Sequence, residues 1–224
     1  MLQIGTQRPS QVTQTKVRVS TKTLIQAVDS LTRDQRKWVK DTGFGDLLHF
    51  SIGIIPHEFA YKLLWTIDTN ELAIKLDDKT IHISDVDVQR VLGFPRGERT
   101  VTLTNDVTQA RSWQNKFKGI VPSRIKNSDV LDKIKTEQTV SSFFKRNFLI
   151  LLANTLMSPS KDANANKELA SFNGDLDHLS QYNWCEYVLN SLKRSIETWK
   201  NNPTYFFTGP LLFIVVSIIV FPFN

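Results

Sequence analysis

The chain has a single cysteine among 224 residues, so no internal disulfide can brace it. A lone thiol suits a reducing compartment such as the cytosol or nucleus. Acids are missing from the beginning: none precedes Asp29, while Arg8, Lys16, Arg18 and Lys22 stand among Ser, Thr and Gln. An organellar transit peptide and a basic unstructured arm share that composition. The weak amphipathicity of the stretch favours an arm, placed at residues 1–23. The start also lacks the apolar run of a secretory signal.

Catalytic signatures are equally scarce. The sequence has no Walker-type phosphate loop, no G-x-G-x-x-G after a strand, no C-x-x-C and no H-E-x-x-H. The two glycines of "GFPRGE" follow a helical pattern rather than a strand, so the stretch does not read as a phosphate loop. There are four histidines. His49 and His57 lie either side of Pro56, too far apart for ligands on one helix face, and no cysteine is near. His82 alternates outward in a strand pattern, and His178 falls in the predicted first turn of a long helix. Cys185 sits on an apolar stripe beside Trp184, where burial raises a thiol's pKa and suppresses nucleophilicity. Asp77-Asp78 and the pair Asp175 and Asp177 fit turns and caps better than acid–base chemistry. The expectation is therefore a protein that is not an enzyme, with no catalytic, cofactor or metal residues.

What the chain does have is core material. It is 41% hydrophobic and 22% charged, with fourteen Phe and five Trp. That is enough for one domain, placed at 24–224. "LTRDQRKWVKDTGFG" predicts a helix with Thr32 as N-cap, Gln35 completing a capping box and Gly43 at the left-handed C-terminus. "PHEFAYKLLWTID" reads as a helix starting at Pro56. "ELAIKL" and "KTIHIS" alternate in polarity around Asp77-Asp78, predicting a small β-hairpin near 71–83. "SDVDVQRVLG" predicts a helix capped by Ser84, with Val88, Val91 and Leu92 inward and Gly93 at its end.

Further on, Trp113 and Phe117 share a helical face, and Val130, Leu131 and Ile134 suggest another helix. "TVSSFFKRNFLILLANTLM" turns apolar all round and predicts a central buried helix. After the loop "SPSKDANANKE", residues from Asp175 to Lys200 predict one long helix with a stripe from Cys185 to Trp199. The fold class is thus mainly α: a multi-helix globular domain with one hairpin.

Lys and Arg exceed acids by six, at a pI of about 9.4, which points toward nucleic acid or anionic surfaces. The candidate nucleic-acid contacts are Arg33, Arg36, Lys37 and Lys40 on the first predicted helix, with Lys145 and Arg146. A further group, Arg111, Lys116, Lys118, Arg124 and Lys126, gathers mid-chain. The uncharged run Phe206 to Phe223 has two readings. One is a membrane anchor through Leu211 to Phe221; the other, favoured because Pro210 and Pro222 leave only about half a bilayer's span between them, is a buried helix.

Five stretches, "LTRDQRKWVKDTGFGDLLHF", "ISDVDVQRVLGFPRGE", "FFKRNFLILLANTLMSPS", "YNWCEYVLNSLKRSIETWK" and "FFTGPLLFIV", occur in an order that resembles the plant mobile domain family, often labelled aminotransferase-like. The resemblance covers residues 31–214. It implies a plant nuclear protein of transposable-element origin, acting through protein or chromatin partners in silencing or developmental maintenance. It transfers no catalytic residue. The aminotransferase label implies no pyridoxal chemistry, because neither a Schiff-base lysine nor a phosphate loop can be assigned. The departure from the family pattern after "GPLLF" suggests a domain incomplete at its C-terminus.

Overall fold

The computed structural model describes residues 20–52, 57–77, 79–104, 107–160, 164–165 and 167–220. The basic arm at 1–19, the helix start at Pro56, Asp78 of the hairpin turn and the tail beyond Val220 lie outside these residues. The fold is mainly α with a small antiparallel sheet.

Helix α1 (Lys22–Ser30) and α2 (Arg33–Val39) open the domain. The capping box at Thr32 forms: its N–H donates to Gln35 Oε1 (2.9 Å), and Thr32 Oγ1 accepts from the Gln35 N–H (3.3 Å). Gln35 is fully buried, and its amide also donates to the carbonyls of Glu137 and Thr139, so the cap doubles as a tie to a distant loop. Beyond Val39 the chain widens into a π turn, Lys40–Phe44, in which Gly43 takes φ +88°. A 3-10 turn follows at Gly45–His49.

Helix α3 (His57–Thr66) leads into strands β1 (Ile67–Asp68), β2 (Ala73–Lys75) and β3 (Thr80–His82). The expected hairpin is β2–β3, with Ile74 opposite Ile81; β1 adds a third edge. Leu76 and Lys79 exchange backbone hydrogen bonds across the turn at 2.8 and 3.4 Å. Helix α4 (Asp85–Leu92) starts where Asp87 accepts from the Ser84 N–H and hydroxyl, and it ends at Gly93 with φ +66°.

Helices α5 (Thr108–Gln114) and α6 (Asn127–Thr136) flank a turn-rich limb. Trp113 and Phe117 are buried with rings 4.8 Å apart, although the helix stops before Phe117. Helix α7 (Ser142–Leu152) is the central element: Phe144 and Asn147 to Leu152 are all buried. It too ends in a π turn, Ala153–Met157, which touches α8 (Trp184–Asn201) and α9 (Leu211–Val220).

One expectation is corrected at α8. The helix begins at Trp184, not near Asp175, so His178 lies in a preceding loop instead of a first helical turn. Asn183 captures the start by accepting the Glu186 N–H at 3.0 Å. Upstream, Asp175 accepts from the Asp177 N–H and pairs with His178 Nδ1 at 2.7 Å, a local turn that competes with helix. Residues 181–184 also zip onto the loop after α4. Gly97 N–H donates to Tyr182 O, Arg99 N–H to Gln181 O, Asn183 N–H to Arg99 O and Trp184 N–H to Pro95 O. Gly97 allows the approach, because a Cβ there would collide with the Gln181–Tyr182 backbone.

Candidate binding cleft beside the 3-10 turn

The 3-10 turn, the end of α4, the second π turn and α9 border one open cleft of about 230 Å3, a small site by the standard of ligand pockets. The first π turn delivers the chain into the 3-10 turn, whose three-residue repeat stacks Asp46 and His49 on one side while Leu47 is buried. From the facing wall come Arg90 and Val91 in the last turn of α4, with Leu92 buried behind them. The second π turn contributes Leu156, and α9 contributes Leu212 and Val216. The result is an apolar floor under a rim of mixed charge.

Gly93 sets the width of this cleft. Its left-handed conformation ends α4, and the Asp46 carboxylate packs so closely that a Cβ at this position would strike it. The lip is fixed from the other side, where Thr21 Oγ1 donates to Ile52 O at 2.6 Å. Ile52 itself stays 39% exposed.

Cys185 lies fully buried elsewhere, its thiol donating to Phe94 O at 3.3 Å. Burial pushes that thiol up to about 12, with the Asp85 charge adding to the effect. Among the described residues, no three of His, Cys, Asp and Glu converge to hold a metal ion. The candidate nucleic-acid residues divide sharply. Arg146 donates to the carbonyls of Ala170 (3.0 Å) and Phe172 (2.9 Å) and to Gln109 Oε1 (2.9 Å), and burial lowers its pKa. Arg36 donates to Val28 O (2.7 Å) and Leu31 O (3.3 Å), closing the end of α1. Lys37 pairs with Asp41 and Lys145 with Asp177, while Arg33 and Lys40 are exposed.

Comparison with known families resolves the resemblance. The family model described as "Domain of unknown function (DUF8566)" matches residues 17–215, far more than half of the chain. The chain belongs to this family. The resemblance to the plant mobile domain is thereby corrected: no match to that family is found, and the nuclear, plant and transposon implications lose the ground they stood on. Its five motifs coincide with capped helix ends and buried stripes, which many helical domains need. No curated protein and no solved structure matches the chain. The family span includes α1 to α8 and the first half of α9, so every wall of the cleft draws on it, with Val216 just beyond.

The apolar tail helix forms the floor. Leu211 to Val215 are at most 2% exposed, and α9 packs on α3, α4 and the second π turn. Ser217 donates its hydroxyl to Phe213 O, which satisfies the one polar side chain of this helix. Among the described residues, no helix is long and apolar enough to cross a membrane.

Proposed function

We propose that this domain is a non-enzymatic binding module that receives a segment of a partner protein in the cleft between the 3-10 turn and the end of α4. The observation that carries the reading is the cleft itself: an apolar floor of Leu92, Leu156 and Leu212 below Arg90, His49 and Asp46. Such a surface suits a large apolar side chain inserted between the walls, with a charged neighbour at the rim. The overall surplus of six positive charges favours an acidic partner segment. The buried, unreactive Cys185 supports binding over nucleophilic catalysis.

The test is selection of peptides on the purified domain from a random display library. Enriched sequences are expected to place an apolar residue next to Asp or Glu. Their affinity is expected to fall at least about 10-fold against Arg90→Glu and against Ile52→Asp, consistent with loss of one buried contact of about 1.4 kcal/mol. Absence of enrichment, or affinities untouched by both variants, overturns the reading.

A further inference from the structure

The limb between α5 and α6 has a different character from the cleft. From Val107 to Ser128 the sequence contains no Asp or Glu, yet it carries Arg111, Lys116, Lys118, Arg124 and Lys126. All five side chains are exposed. Among the described residues, none of the five takes part in an ion pair. Asp106 and Asp129 flank the run in sequence, and Asp129 is half-buried and accepts the Lys126 backbone N–H at 2.7 Å, capping α6.

The limb is also held from beneath. Trp113 Nε1 donates to Asn147 Oδ1 (2.7 Å), Phe117 packs on Phe143, and Ala165 N–H donates to Ile125 O (2.7 Å). Lys167 Nζ donates to Pro122 O. The cations are therefore mounted on anchored backbone, which reduces the ordering cost of binding.

We propose that this limb is a docking surface for the phosphate backbone of duplex DNA. An unbroken run of one sign fits a partner whose charges are uniformly spaced along a line. An acidic protein surface offers the same sign without that regular spacing, so competition by polyglutamate separates the two. The aromatic residues decide between duplex and single strand. Trp113 and Phe117 are buried under the limb, at 3% and 2% exposure, so they offer no platform for stacking unpaired bases. Contact through phosphates alone positions the duplex without reading its sequence. Arg146 reaches α5 through Gln109 but is committed to that oxygen and to two backbone carbonyls, and Arg33 and Lys40 belong to α2 and the turn after it.

The test is fluorescence anisotropy with a short labelled DNA duplex, titrated with salt. Binding through up to five phosphates predicts a slope of log affinity against log salt of about −4.5. Replacing Arg111, Lys116, Lys118, Arg124 and Lys126 together by Gln is expected to abolish most of that slope and lower affinity at least about 10-fold at roughly 50 mM salt. The milder pair Lys116→Gln and Lys118→Gln is expected to lose about two-fifths of the slope, and it serves should the larger variant not fold. Arg33→Gln with Lys40→Gln is expected to bind as the parent does. The proposal is overturned by no binding at low salt, by an unchanged slope in both limb variants, or by equal loss in the α2 variant. Tighter binding to a single strand of matched length overturns the duplex assignment. Competition by polyglutamate at equal charge as effective as by duplex reassigns the limb to an acidic protein partner.

Discussion

Two groups of cations look alike in the sequence and behave differently in the fold. On α2 and α7, Arg36 and Arg146 are fastened to backbone carbonyls, and Lys37 and Lys145 to carboxylates. On the limb between α5 and α6, five cations stand exposed on a stretch without acids. The difference teaches that a basic residue is available to a ligand only when nothing in its own chain already satisfies it. An arginine fork that bonds two or three carbonyls is part of the architecture, and taking it to a phosphate would orphan those carbonyls.

The comparison breaks most visibly at Arg146. Arg146→Ala removes donors from Ala170 O, Phe172 O and Gln109 Oε1, and a loss of about 2–3 kcal/mol is expected in urea unfolding. Arg146→Lys should recover little of it, since a single ammonium cannot reproduce the planar fork. A fully stable Arg146→Ala would move this residue into the available group.

Arg36→Gln should cost about 1 kcal/mol, because two carbonyls at the end of α1 lose a donor in a half-buried setting. Lys145→Gln should cost less than about 1 kcal/mol, with the difference shrinking in high salt, as befits a pair whose Asp177 side is 57% exposed. Arg96 offers a pH-dependent intermediate case. Its hydrogen bond holds the Asp85 carboxyl below its ordinary value of 3.8. A depressed carboxylate pKa stabilises the fold fully above the unfolded value, and the contribution is lost as pH falls through the lower folded value. Asp85→Asn should therefore lower stability slightly at neutral pH and flatten the stability curve below about pH 4. Smallest of all, single Gln substitutions on the limb should leave the unfolding midpoint within about 0.5 kcal/mol of the parent, whatever they do to DNA affinity.

Local chemistry was legible wherever neighbouring residues decide the outcome. The Thr32–Gln35 box, the left-handed Gly93, the β2–β3 hairpin and the buried stripe of α8 were all readable, because each depends on spacing of a few residues. Helix α1 falls at the start of the expected domain with no helix predicted for it, although Leu24, Ala27, Val28 and Leu31 have helical spacing and are all buried. The start of α8 was placed too early. Periodicity runs on through residues 175–183, and only the distant partners at Pro95 to Arg99 show that this backbone bonds elsewhere. The cleft was invisible for a similar reason, since four separated stretches of chain line it. The 3-10 turn that forms one wall carries no such local signature. Ordered motifs also misled the family reading, because capped ends and apolar stripes record helical packing more than descent.

The zipper between the loop after α4 and the approach to α8 closes a long detour. Cys185 reaches back to Pro95 O across 90 positions of sequence, and the backbone bonds beside it seal the same junction. The whole excursion through α5, α6 and α7 thus leaves from and returns to one knot. A single peptide-bond cut at the exposed Lys118-Gly119 turn would therefore not release either half: both cut ends belong to pieces still laced together at the knot and through the shared core. Co-expressed as two separate polypeptides divided at that turn, the halves should find each other and rebuild the intact domain, which makes the limb a natural place to split this protein.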